Sequence, residues 1–476
     1  MQHLKNVAAT HSCQPPTYEK PYFPINIHKA WAIVRQYQAQ NVLSYFLNLF
    51  KVYGDTFVSR VLWLDIVVTC EPENIKQILQ RRFDDFDIAP LRRHLFLPIT
   101  PHGIFNCDGA EWIVVRKIFR TQFADTRAIV DLNMMEDHFQ RMLERIPQDG
   151  QAVDLQNIFI RLITDVLGTI AVGEPLGSLS MDQKPETIAI EEALRHVKER
   201  IAQFGQTGPA HWLYNREKFR LASNLIREYI ERFVRQAVQG SHDELASEDS
   251  ARKRGVSFVQ GAAYQTSDFA SLRDQTTSIY LAGIDSVAGL LSSTFWFLSR
   301  DRRIFSKLKE DVLDNVGHDR PSYDQLSNSI YLRYVLNEAM RIMPGVPFNA
   351  KVANKDTWLP RGGGPDGTAS ILVKKGQIVS FWSWASHRNA SIFGDDVEEF
   401  RPERWETIKG NVSGYIPFQP GPRVCPGQRI ALAIASYFVI RLLQTFGSIE
   451  NRDSKVWKEK LGLALSIENG VIVALS

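Results

Sequence analysis

Phe418-Gln-Pro-Gly421-Pro-Arg423-Val-Cys425-Pro-Gly427 is the stretch on which the reading of this chain turns, and it runs straight into an apolar helical pattern from Gln428 to Phe446. A cysteine just ahead of a helix N-terminus faces unsatisfied N–H groups and the positive end of the helix dipole; both favour thiolate over thiol. Gly421 and Gly427 flank it, so backbone can pass close to a flat ligand and point N–H groups at the sulfur. Arg423 can meet an anionic group such as a haem propionate, and Phe418 supplies an apolar wall. A lone cysteine in a Gly/Pro loop is more often a buried structural residue. Here Phe418, Gly421, Arg423, Cys425 and Gly427 stand in one register, and that pattern suits a thiolate ligand to haem iron, which favours O–O cleavage.

Around the loop the composition is that of an ordinary globular chain. In 476 residues, 56 Lys+Arg against 53 Asp+Glu leave a net charge of +3, which gives no electrostatic case for a nucleic-acid partner. A 44% hydrophobic and 23% charged content excludes disorder. The 4 cysteines (Cys13, Cys70, Cys107, Cys425) are too few for a disulfide scaffold and favour a reducing compartment. Cys13, Cys70 and Cys107 show no metal-ligand spacing, and His387-Arg388 has no second ligand nearby, so His387 is expected to be structural. No stretch is read as a membrane span, which takes roughly 20 apolar residues: 431–446 is broken by Arg441 and 41–50 is short. The start does not read as a signal peptide, and the sequons at Asn389 and Asn411 are read as chance.

The coarse pattern is mainly helical with a minor β part. Residues 1–30 are Pro-rich and expected to form an extended arm. Residues 56–70 are β-branched and aromatic, a hairpin signal, and 73–80 reads as a short helix. Helical periodicity dominates 111–233 and includes a long amphipathic helix over 214–238. A polar loop is expected at 241–261 and a long apolar helix at 267–298, capped by Ser267-Asp268. Another helix, 331–343, stops at Pro344; 350–384 is strand-like around the Gly362 to Gly367 loop, which lacks the helix and Lys-Ser/Thr of a phosphate cradle. Short strands close the chain. Strand regions this far apart are expected to pair, so 1–476 reads as a single catalytic domain.

Three further groups carry chemistry. Ala282-Gly283-Ile284-Asp285-Ser286 puts an acid and an alcohol mid-way along the long apolar helix, where they are costly unless used. Small residues there let a ligand approach the backbone. Glu338 and Arg341 share a helix face at i, i+3 within apolar surroundings, which favours a buried pair. Trp112 and Arg116 stand at i, i+4 on a predicted helix.

In this set of motifs, in this order, the chain resembles the cytochrome P-450 superfamily over nearly its whole length. The resemblance implies that fold, with haem b between the long central helix and the helix after the Cys loop, and Cys425 as axial iron ligand. It implies that Ala282, Gly283, Phe418, Gly421, Arg423 and Gly427 line the haem, and that Trp112 and Arg116 hold a propionate. Lys351 stands where relatives usually carry Arg. Arg404, within Phe400-Arg401-Pro402-Glu403-Arg404-Trp405, would join Glu338 and Arg341 in a structural triad. Asp285 and Ser286 would pass protons during dioxygen activation; Thr is more usual at the second position, and Ser is freer about χ1. Electrons would come from NADPH through NADPH–cytochrome P-450 reductase. A haem-thiolate isomerase, dehydratase or peroxygenase, or a haem sensor, has little need of the acid–alcohol pair, so a monooxygenase is favoured.

Finer matches, Gly103-Ile104-Phe105, Thr121-Gln122-Phe123 and the run Asp356 to Gly367, resemble fungal alkane and fatty-acid hydroxylases. They imply a lipophilic substrate attacked at an unactivated C–H bond, with Ile104, Phe105, Val346 and Phe348 as lining residues. Related fungal enzymes also tailor polyketides and other secondary metabolites. The resemblance implies the cytosolic face of the endoplasmic-reticulum membrane, although no anchor helix is recognisable at the start of this chain.

Overall fold

A computed structural model describes residues 7–21, 23–147, 150–207, 216–243, 257–408 and 412–476. The sequon at Asn411 and most of the polar loop expected at 241–261 lie outside the described residues. The chain divides into two compact units, Met1–Arg93 with Met340–Cys425, and His94–Ala339 with Pro426–Ser476.

The first unit is built on a six-stranded sheet. Its β-branched hairpin forms as expected: Thr56–Val61 and Leu64–Thr69 pair antiparallel from Thr56↔Thr69 to Val61↔Leu64. Leu64–Thr69 then pairs in parallel with Ile378–Phe381, so strands from the two ends of the sequence do meet. Val58, Val67, Ile75, Ile78, Phe86, Leu359, Ile371 and Phe381 form the buried core beneath. Asn74 is fully buried there, and its side-chain amide donates to Thr56 Oγ1 at 2.9 Å and Arg361 O at 3.0 Å while accepting from Arg361 N–H at 2.9 Å. Each such bond contributes about 1 kcal/mol, and losing one would leave a buried polar group exposed to the full desolvation cost. The helix expected over 73–80 is Pro72–Lys76 followed by a π-helical turn, Gln77–Arg81. The stretch expected to be an arm is helical at 7–10, and the helix Ile27–Gln38 opens inside it.

The second unit is organised by the helix Phe269–Leu298, capped by Asp268, whose carboxylate accepts from Ala270 N–H and Ser271 N–H. It packs along Leu155–Val172, where Phe159 meets Phe295 at 5.5 Å between ring centroids. By length and composition these two helices could each cross a bilayer, yet 78% and 67% of their apolar windows are buried in the chain's own packing. The segment over 431–446 falls in the helix Gln428–Thr445. Its Arg441 is not a break but a partner: Nε and Nη2 donate to Glu136 at 2.9 and 2.8 Å. Burial would raise the Glu136 carboxyl, but hydrogen bonds from Arg441, Tyr437 and Gln140 outweigh it and hold it at about 2. Short strands, Ile449–Asn451, Glu459–Leu461, Leu465–Ile467 and Ile472–Leu475, close the chain as expected.

Candidate active site

The Cys loop belongs to the first unit. Cys425 N–H donates to Phe418 O at 3.0 Å and Val424 N–H to Gly421 O at 3.0 Å, so the motif closes on itself. Gly421 has φ +109°, and a Cβ there would lie 1.9 Å from Leu79 O, in the π-helical turn. Only glycine lets the loop press onto that turn. Arg423 lies with its guanidinium 5.7 Å from the Phe83 ring centroid. Phe418 and Arg423 are half-buried, whereas Cys425 is exposed. Gly427 caps the helix Gln428–Thr445 and has nothing within 4 Å of an added Cβ.

Arg341 and Arg404 are fully buried in the same unit. Arg341 donates to His387 O at 3.1 Å, Val397 O at 2.7 Å and Glu399 O at 3.2 Å; Arg404 donates to the same Glu399 O at 3.2 Å and to Asp396 Oδ1 at 2.9 Å. The two guanidiniums therefore converge on one carbonyl. Glu338 is also fully buried, one turn before Arg341 on the helix Ile330–Ile342. Arg401 and Arg404 hold the Asp396 carboxyl well below its ordinary range. His387 is structural, as its isolation suggested: Nδ1 lies 3.2 Å from Arg341 O and Nε2 accepts from Ile416 N–H at 2.9 Å. Burial lowers its imidazole to about 3. Lys351 is buried on the strand Asn349–Ala353. Phe348 stacks on Trp382 at 4.5 Å, and Trp382 in turn on Phe46 at 4.1 Å.

In the second unit, Ala282 is exposed mid-way along the long helix, between buried Leu281 and Ile284. Gly283 departs from expectation. A Cβ there would lie 2.5 Å from Leu167 Cδ1, so its smallness serves the approach of Leu155–Val172, and Ala282 is the residue that leaves the helix surface open. Asp285 does not bond the neighbouring hydroxyl. Its Oδ1 accepts from Lys198 Nζ at 2.7 Å, an ion pair with 19% and 17% of each side chain exposed. Ser286 Oγ donates to Ala282 O at 2.7 Å, a bond within its own helix. Lys198 sits on Pro185–Thr207, and no sequence spacing could connect it to Asp285. Trp112 and Arg116 are half-buried on Gly109–Gln122. Ile104 and Phe105 lie on a loop pinned to the long helix by Asp274 and Gln275, which sequence reasoning also missed. Among the described residues no cluster of His, Cys, Asp and Glu could hold a bare metal ion.

In the first unit an exposed thiol stands just before a helix, and in the second an exposed alanine, an acid and an alcohol stand together on a buried one; these are residue types that a haem-thiolate protein uses. The Cytochrome P450 family profile matches residues 21–473. The chain belongs to the cytochrome P450 family. It is 34% identical to the cytochrome P450 monooxygenase fsdH of Fusarium heterosporum, over 98% of this chain and 84% of that one. It is 36% identical to the cytochrome P450 monooxygenase himC of Aspergillus japonicus, over 93% and 80%. With cytochrome P450 52A1 of Candida tropicalis it shares 36% identity, over 87% and 79%. The protein is thus a monooxygenase of a family that uses haem with a cysteine thiolate and electrons from NADPH through a reductase. Its residues fit that group. Cys425 is accessible on a loop whose other motif side chains are half-buried, and Ala282 is uncovered on an otherwise buried helix.

Proposed function

We propose that this monooxygenase hydroxylates an unactivated C–H bond of a fatty-acid- or alkane-like chain. The ion pair Lys198–Asp285 beside Ser286 carries the reaction class, because an enzyme that skips dioxygen activation has no use for an acid and an alcohol half-buried on that helix. The substrate class is supported by the motif resemblance and by apolar Ile104, Phe105, Val346 and Phe348 as lining residues. Haem bound through the Cys425 thiolate supplies the dioxygen chemistry. Trp112 Nε1–H and the guanidiniums of Arg116 and Arg423 would hold its propionates. Phe418, Gly421 and Gly427 would shape the surroundings of its thiolate, Ala282 would leave the long helix open to it while Gly283 stays packed against Leu167, and Glu338, Arg341 and Arg404 would lock the core without touching it.

Ser286 must turn from Ala282 O to deliver its proton, breaking a bond of about 1 kcal/mol. A serine turns more freely than a β-branched threonine. Asp285 could reload it only after Lys198 releases the carboxylate and Asp285 takes up a proton from solvent, which it would then pass to the Ser286 oxygen. NADPH–cytochrome P450 reductase is the proposed electron donor and the cytosolic face of the endoplasmic reticulum the proposed location. A hold on that membrane is supported by Ile25, Ile27, Trp31 and Trp63, all exposed around the Asn26–Leu62 bridge. The test is turnover of dodecanoic acid by the haem-loaded protein with reductase and NADPH, locating the new oxygen by mass spectrometry. A hydroxyl on the chain supports the reading. An intact thiolate spectrum without product transfers it to the second reading, a tailoring oxidase of a secondary metabolite.

A further inference from the structure

The long helix carries two consecutive side chains, Asp274 and Gln275, that are fully buried and both hydrogen-bond a loop. Asp274 Oδ2 accepts from His102 N–H at 2.8 Å. Gln275 Oε1 accepts from Ile104 N–H at 2.9 Å, and its Nε2 donates to His102 O at 2.5 Å. Gly103, between them, presses on the same helix: a Cβ there would lie 2.8 Å from Ser278 Oγ. Three backbone groups held by two side chains fix the height of the loop along the helix axis, which apolar packing alone would leave free to slide. Asp274 is itself braced, since its Oδ1 accepts from Arg273 Nε at 2.8 Å and Arg273 reaches Glu231 at 3.1 Å.

Gln275 and exposed Ala282 lie seven residues apart, on one face and about 10 Å along the axis at 1.5 Å per residue. Ile104 and Phe105 are half-buried on the loop clamped at Gln275, a residue that shares its helix face with exposed Ala282. We propose that Gln275, which holds the loop together with Asp274, is a positioning residue that sets how a chain substrate is seated by Ile104 and Phe105, and so which carbon is oxidised. This rests on the reading of that face as the substrate side of the site.

The test uses the holoenzyme with Gln275→Met, which keeps the side-chain length and removes all its hydrogen bonds, and Thr294→Val, which removes a buried hydroxyl from the same helix away from the loop. Optical titration gives the ratio of affinities for 1-dodecylimidazole and imidazole, which differ only in the chain that the loop would seat. Gln275→Met is expected to lower that ratio about tenfold, to raise amide exchange over residues 100–107, and to spread the hydroxylation positions on dodecanoic acid; Thr294→Val should leave all three unchanged. Faster exchange with an unchanged ratio would make the clamp purely structural and overturn the proposal, as would an equal effect from Thr294→Val. Failure of the wild type to hydroxylate dodecanoic acid would sink the fatty-chain reading, and the imidazole ratio would still decide the clamp.

Discussion

Gly421 and Gly427 stand in the same loop and should respond to alanine in opposite ways. At Gly421 the added Cβ falls 1.9 Å from Leu79 O and 2.9 Å from Leu79 C. Relief to 3.0 Å requires 3.0 − 1.9 = 1.1 Å of movement by backbone on one side or the other. The φ of +109° adds strain of about 1–3 kcal/mol, and overpacking adds about 1–3 kcal/mol more. A loss of roughly 2–6 kcal/mol is within what a folded domain tolerates, so the strain should be released locally by shifting the loop that carries Cys425. At Gly427 nothing lies within 4 Å and φ is −88°, so alanine there should cost under about 1 kcal/mol. The assay is the ferrous–CO spectrum of each purified variant, read as the fraction in the thiolate form, together with the thermal midpoint. Gly421→Ala should lose most of the thiolate form and melt several degrees lower, while Gly427→Ala keeps its thermal midpoint near wild type. A Gly421→Ala protein with a full thiolate spectrum would refute the claim that the π-helical turn at Leu79 sets the height of the Cys loop.

Three other outcomes are expected. Cys425→Ala should abolish the thiolate absorbance, and normal turnover in that variant would sink the ligand assignment. Asp285→Asn should slow product formation by about 10²-fold or more, the usual scale of positioned proton transfer, and Lys198→Met should change the ratio of product to NADPH consumed; an unchanged ratio would remove Lys198 from the proton path. Acid should destabilise the protein in two stages. His387 titrates at about 3 when buried against an ordinary 6.5, so the unfolded chain binds the proton first and stability falls as pH drops below 6.5 towards 3. Glu136, at about 2 against 4.5, contributes stability above 4.5 that is lost as pH falls towards 2. A His387→Asn variant with the wild-type slope of melting temperature between pH 6.5 and 3 would refute the first stage.

Element types were legible where local chemistry decides them. The hairpin over 56–70 follows from β-branched residues, the start of the long helix from Asp268, and the end of Ile330–Ile342 from Pro344. Other readings missed because the deciding partner lies far away in the chain. Arg441 looks like an interruption in an apolar run until Glu136 is placed against it, and Gly283 looks like room for a ligand until Leu167 fills it. Exposed Ile25, Ile27 and Trp31 lie far in sequence from exposed Trp63, and the Asn26–Leu62 bridge joins the two segments.

By itself the sequence determined the family and the reaction class, because those rest on motifs whose residues lie within a few positions of one another. A cysteine ahead of a helix and a proline ending one take their character from neighbouring backbone, which any local fold supplies. Tertiary structure alone decided what those residues are coupled to. Lys198 reaches Asp285 across 87 positions, and Gln275 holds Ile104 across 171. Such pairs carry no periodicity or spacing, and they come into being only when packing brings two helices, or a helix and a loop, within hydrogen-bond distance.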